Sequence, residues 1–147
     1  MPAACATESE IAAALDCSVR YALETMCFAE AVPAPSAVEH VKYVTVAFRA
    51  GFAGTLEIAA TPAAAQRLAS ALLGLQPGEA PGEAYVDDTL CELATTICGR
   101  FLSSLDASAC LRLEQARLET KSSAAPPDLQ LGFQVERGEM TVSLRFD

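Results

Sequence analysis

The stretch Val86-Asp87-Asp88-Thr89-Leu90-Cys91-Glu92-Leu93-Ala94-Thr95-Thr96-Ile97-Cys98-Gly99-Arg100-Phe101 reads as the body of a helix with two unlike sides. At roughly 100° per residue, Val86, Leu90, Leu93, Ile97 and Phe101 fall within one quadrant, an apolar stripe that another layer must cover. Opposite them lie Asp88, Glu92, Thr95 and Gly99, small or acidic groups with no lysine among them. Gly99 in mid-helix sacrifices about 1 kcal/mol relative to Ala, which suggests that something approaches closely there. The spacing predicts a long helix over about 84–105 whose apolar quadrant rests on a sheet.

Upstream, Ile11, Leu15, Val19, Ala22 and Met26 make a helical stripe over 8–28, with Thr7 or Ser9 as N-cap. Pro33 and Pro35 break the chain. Val44, Val46 and Phe48 then alternate with Tyr43, Thr45 and Ala47, and Leu56 and Ile58 continue the alternation beyond Gly51 and Gly54. Residues 41–60 are thus predicted as a β-hairpin whose glycines permit the positive φ of its turn. Thr61-Pro62 opens a shorter helix, Thr as N-cap and Pro in the first helical position, with Ala65, Leu68, Leu72 and Leu73 on its apolar side and Gly74 at its end. Residues 76–83 form a turn-rich connection. Downstream, Leu111, Leu113 and Leu118 predict a strand within 109–120, and Lys121 to Pro127 a loop. Leu129, Leu131, Phe133 and Val135, then Met140, Val142, Leu144 and Phe146, alternate on either side of a turn at Arg137-Gly138. Two long helices and a shorter one on one face of an antiparallel sheet make an α+β fold, and 147 residues fit one domain, 1–147.

Composition narrows the function. With 52% apolar and 20% charged residues the chain has the makeup of a folded protein rather than a disordered one. A formal charge of -9 argues against nucleic acid or an anionic membrane as partner, since both select clustered Lys and Arg. The N-terminus lacks the basic and apolar regions of a signal peptide, and no stretch reaches the roughly 18 apolar residues of a spanning helix; a cytoplasmic location is expected. Cys5, Cys17, Cys27, Cys91, Cys98 and Cys110 form no Cys-x-x-Cys or Cys/His group, so no metal site is expected and reduced, partly buried thiols are. His40, the single histidine, reads as a loop residue rather than a base.

Asp88-x-x-x-Glu92-x-x-Thr95 resembles the signature of the CheC/CheX/FliY family of chemotaxis phosphatases, an acidic or Ser residue, three residues, Glu, two residues and Asn, with Thr95 in the place of the Asn. Leu23-Glu24-Thr25-Met26-Cys27-Phe28 is similar to the Glu-Thr-Met-Phe ending of that family's first helix, and Gly51-x-x-Gly54 followed by Leu56 resembles its central hairpin. The resemblance covers residues 10 to about 105. It implies a CheX-like fold and hydrolysis of the aspartyl-phosphate on a CheY-like receiver domain, the output end of two-component signalling. It further implies that Glu92 is the docking carboxylate, paired with the receiver's lysine, and that Asp88, Thr95 and Gly99 share the partner-binding face. Thr95 holds the position of the amide that orients the attacking water. The divalent metal belongs to the receiver, and this chain binds no cofactor.

Threonine offers one hydroxyl on a short β-branched stem and cannot fix a water through two separate polar atoms as an amide does. Losing one orienting contact costs on the order of 100-fold in rate. Thr96 is rotated away from Thr95, the chain contains no Asn, and Gln76 and Gln115 are the nearest amides in sequence, neither on this helix. Two readings stand: a phosphatase of reduced activity with Glu92 and Thr95 as its catalytic pair, or a non-catalytic interaction module of the same fold, a homodimer joined through sheet edges as the resemblance to CheX implies. A third, a ligand-binding sensor, needs a large apolar pocket between helices and sheet. Without the family pattern, Asp87, Asp88, Glu92 and Glu24 would be ordinary solvated carboxylates.

Overall fold

The computed structural model describes residues 6–35, 42–76, 78–105, 110–123 and 125–147. His40 lies outside them. The elements in chain order are α1 (Glu8–Cys27), β1 (Ala31–Pro33), β2 (Lys42–Arg49), β3 (Ala53–Ala60), α2 (Pro62–Leu73), α3 (Glu83–Leu105), β4 (Arg112–Leu113), β5 (Arg117–Glu119), β6 (Leu129–Val135) and β7 (Gly138–Phe146). The strands form one antiparallel sheet in the order β1-β6-β7-β3-β2-β4, with β5 also paired to β2. The predicted class is borne out: an α+β fold whose helices, two long and one shorter, lie on one face of the sheet.

Local chemistry explains the helix starts. Thr7 caps α1 in a capping box, its hydroxyl accepting from the Glu10 N–H while the Glu10 carboxylate accepts from the Thr7 N–H. Thr61 caps α2 with Pro62 in the first turn, and Gly74 ends it at φ 67°. The core joins Leu15, Val19 and Leu23 of α1, Leu68 of α2, and Leu90, Leu93, Ile97 and Phe101 of α3 to Val44, Val46, Leu56, Ile58, Met140, Val142 and Leu144 of the sheet. Each such side chain contributes about 1.5–3 kcal/mol by leaving water. Leu73, assigned to the apolar side of α2, is instead 42% exposed at the helix end.

Three local readings change. The proline-bearing segment is not a plain break, because Ala31 to Pro33 pair with Val135 to Phe133 as an edge strand, where Pro costs no ladder bond. The last hairpin turns at Glu136-Arg137, with Glu136 at φ 54°, one residue earlier than expected. Gly138 is needed for another reason, since a Cβ there would collide with Ala64 of α2. Third, the strand within 109–120 is two short pieces. Phe48 pairs with Leu113 but Thr45 pairs with Arg117, so the edge chain advances four residues where β2 advances three: a β-bulge at 114–116.

The central strands β3 and β7 bury polar groups on the face away from the helices. Glu57, 3% exposed, accepts from the Ser122 hydroxyl at 2.7 Å and the Ser123 N–H at 3.3 Å, while the Arg145 guanidinium lies 3.9 Å away and donates to the Ala125 carbonyl. This network ties Ser122, Ser123 and Ala125 to the back of the sheet, the partnering a buried carboxylate requires.

Candidate functional site on the exposed face of α3

Packing orients α3. Val86, Leu90, Leu93, Ile97, Phe101 and Leu102 are buried against α1, α2, β2 and β3, which turns Asp88, Glu92 and Thr95 to solvent and leaves Gly99 half-buried. The four residues singled out by the helical pattern therefore share one line on the exposed side. Lys42, at the start of β2, pairs with Glu83 and, at 2.6 Å, with Asp87 in the first turns of α3. Burial lowers the Lys42 pKa, but the hydrogen bonds to Asp87 and Glu83 outweigh it and the net shift is upward. Asp87 is thus occupied. Among the described residues neither Asp88 nor Glu92 has an ion-pair partner.

Beside this line runs an open groove of about 520 Å³. Asp88, Cys91, Glu92, Thr95 and Thr96 of α3 form one wall, and Leu113 to Ala116, the start of the bulge, form the other. The field of the site is negative. Burial raises the Cys91 thiol pKa, and the Asp88 and Asp87 carboxylates raise it further. Cys27 is pushed up to about 11 by burial, with the Glu92 carboxylate adding to the effect across the α1–α3 contact. Cys98 is pushed up to about 12 by burial alone. The thiols expected to be partly buried divide accordingly: Cys27 and Cys98 inside, Cys91 at the groove, Cys17 and Cys110 exposed.

The Thr95 hydroxyl donates to the Cys91 carbonyl at 3.0 Å, the back-bond a mid-helix threonine commonly makes. This bond competes with any hydrogen bond the hydroxyl gives toward the groove. Gly99 faces Leu113: a Cβ there would sit 3.6 Å from Leu113 Cδ1, an ordinary contact. No described neighbour therefore requires glycine at this position. The next residue, Arg100, stacks its guanidinium 3.4 Å from the Tyr21 ring centroid and bounds the open face toward α1.

Sequence reasoning missed the second wall, Glu114 and Gln115 above all, and it set Thr96 aside although Thr96 lines the groove. One signal was available. The apolar alternation runs through Leu111 and Leu113 and resumes at Leu118, an odd spacing that breaks the period of two, as a bulge does. Among the described residues no three His, Cys, Asp or Glu side chains are grouped to hold a metal ion, and no helix is long and apolar enough to cross a membrane.

Comparison with known proteins agrees with this geometry. No curated protein matches the chain by sequence. CheX from Desulfovibrio desulfuricans shares the fold at TM-score 0.75 and 17% identity, over 94% of this chain and 99% of that one. CheX from Vibrio vulnificus does so at 0.78 and 15%, over 97% and 99%. A chain of the CheX-CheY-BeF3-Mg2+ complex from Borrelia burgdorferi does so at 0.67 and 15%, over 90% and 96%. A model of the family described as chemotaxis phosphatase CheX matches residues 43–136, a span holding all of α3 and the bulge. The chain belongs to the chemotaxis phosphatase CheX family.

Proposed function

We propose that the chain, acting as one domain, docks the exposed face of α3 on the phosphorylation site of a CheY-like receiver and accelerates hydrolysis of its aspartyl-phosphate. The observation that carries this reading is the line Asp88, Glu92, Thr95 and Gly99 beside an open groove, with both carboxylates free of ion-pair partners among the described residues. Membership of the CheX family supports it. So does the Borrelia burgdorferi relative, whose structure is a complex of CheX with CheY, BeF3 and Mg2+.

In this reading Glu92 pairs with a basic group of the receiver, and Asp88, one turn earlier, reinforces the negative field that draws it in. The divalent metal is the receiver's and neutralises the phosphoryl oxygens. What the α3 face adds is position, since phosphoryl transfer depends on alignment and charge more than on covalent help from the protein. A second reading, docking without turnover, is favoured by one observation: the Thr95 hydroxyl donates to the Cys91 carbonyl, and a single hydroxyl so engaged orients a water less well than an amide. Pairing of two copies through sheet edges belongs to the proposal as well, supported by β1, a three-residue strand whose Val32 is half exposed. A cytoplasmic location is supported by the five free cysteines of the described residues.

The test is the affinity for a beryllofluoride-activated CheY-like receiver. Glu92→Ala is expected to lower it about 30-fold or more, the cost of truncating one member of a desolvated charge pair. Glu24→Ala, on the solvent side of α1, is expected to leave it within about twofold. Equal affinities for wild type and Glu92→Ala would show that docking does not use this face.

A further inference from the structure

Hydrolysis of an acyl phosphate is speeded by a group that accepts from the attacking water through one atom and donates to the reacting centre through another, so that the water is held in line with the breaking bond. On α3 no side chain lining the groove has separate donor and acceptor atoms: Asp88 and Glu92 are carboxylates, and Thr95 and Thr96 offer single hydroxyls, the first of them bonded to the Cys91 carbonyl. The opposite wall supplies one. The bulge at 114–116 is anchored by the Glu114 N–H, which donates to the Ala47 carbonyl at 2.9 Å, and the next residues swell outward opposite Val46. Val46 is fully buried on the side of the sheet that the helices cover. Leu113 faces α3 beside Gly99, so strand alternation places Gln115, two residues on and opposite Val46, on the same helix side, where it lines the groove with Glu92 and Thr95 and remains exposed. The other glutamines, Gln66, Gln76, Gln130 and Gln134, do not line this groove.

We propose that Gln115 is the catalytic amide of this site, acting from the edge strand rather than from the helix; the proposal rests on the reading of α3 as the receiver-docking face. Its Oε1 accepts a hydrogen bond from the attacking water and its Nε2 donates to a phosphoryl oxygen. The water oxygen forms a bond to phosphorus as the bond from phosphorus to the aspartyl oxygen breaks, and that electron pair leaves with the receiver's carboxylate. Both water protons end on the released phosphate, so the charge balances without a further reactant. Glu92 fixes the receiver, Gln115 fixes the water, and Thr95 acts only as a small neighbour that leaves room for them.

The experiment measures phosphate release from a phosphorylated CheY-like receiver together with affinity for its beryllofluoride form, for wild type, Gln115→Ala and the double variant Gln115→Ala/Thr95→Asn. Gln115→Ala is expected to slow release about 100-fold. Its affinity is expected to stay within about threefold of wild type, and the double variant to recover much of the rate by placing an amide on the helix. An active wild type with an equally active Gln115→Ala overturns the role of Gln115 alone. A wild type that neither binds nor accelerates overturns the docking reading, and one that binds without accelerating overturns the catalytic role while leaving docking in place.

Discussion

α1 and α3 each carry a glutamate three residues ahead of a small side chain, Glu24 ahead of Cys27 and Glu92 ahead of Thr95, but the packing treats them oppositely. Both glutamates are exposed. Cys27 is 1% exposed at the end of α1, where burial and the nearby Glu92 push its thiol up to about 11, whereas Thr95 stands in solvent beside a groove. The concavity near Glu24 is bounded by the helix end and the approach to β1, with Phe28 held in the left-handed region at φ 52°, and it carries no side-chain amide. The groove beside Glu92 is bounded by the bulge and carries Gln115. A carboxylate on a helix therefore becomes a candidate site only when its neighbours three residues on and across the groove are accessible and polar.

Placing the same residue in both helices breaks the comparison most sharply. Cys27→Asn is expected to cost about 2–3 kcal/mol, because it buries an amide without partners in the core. Thr95→Asn is expected to stay within about 0.5 kcal/mol, the usual range for an exposed site. Chemical denaturation checks both, and equal costs would mean that the two positions are not as different as their burial. A smaller effect concerns Gly99. Gly99→Ala is expected to stabilise the chain by up to about 1 kcal/mol, since the new methyl makes an ordinary contact with Leu113. It is also expected to weaken receiver binding, because the methyl occupies the face where the partner approaches. A gain in stability with unchanged affinity would remove Gly99 from that face.

What could be read in the sequence is what depends on near neighbours. The quadrant Val86, Leu90, Leu93, Ile97 and Phe101, the Thr61-Pro62 start and the alternation of Val44, Val46 and Phe48 each carry their own signal, and each lies where expected. The line Asp88, Glu92, Thr95 and Gly99 followed as the opposite side of the same helix. The features that escaped depend on contacts distant in sequence. Ala31 to Pro33 become a strand only because β6 offers an edge. Gly54 was read as a turn residue, but it lies in β3, where the Arg145 carbonyl occupies the space a side chain would need. Lys42 pairs with residues 41 and 45 positions away, and Gln115 meets the groove only because its edge chain pairs with β2 beside α3. The amide that the helix lacks was visible in the sequence as a residue but not as a neighbour.

The decisive experiment compares the rate of phosphate release from a phosphorylated CheY-like receiver alone, with wild type and with Glu92→Ala. Wild type is expected to speed release above the receiver's own rate, and Glu92→Ala to return it to that rate. Release unchanged by wild type, or acceleration that persists in Glu92→Ala, would contradict docking and hydrolysis through the α3 face.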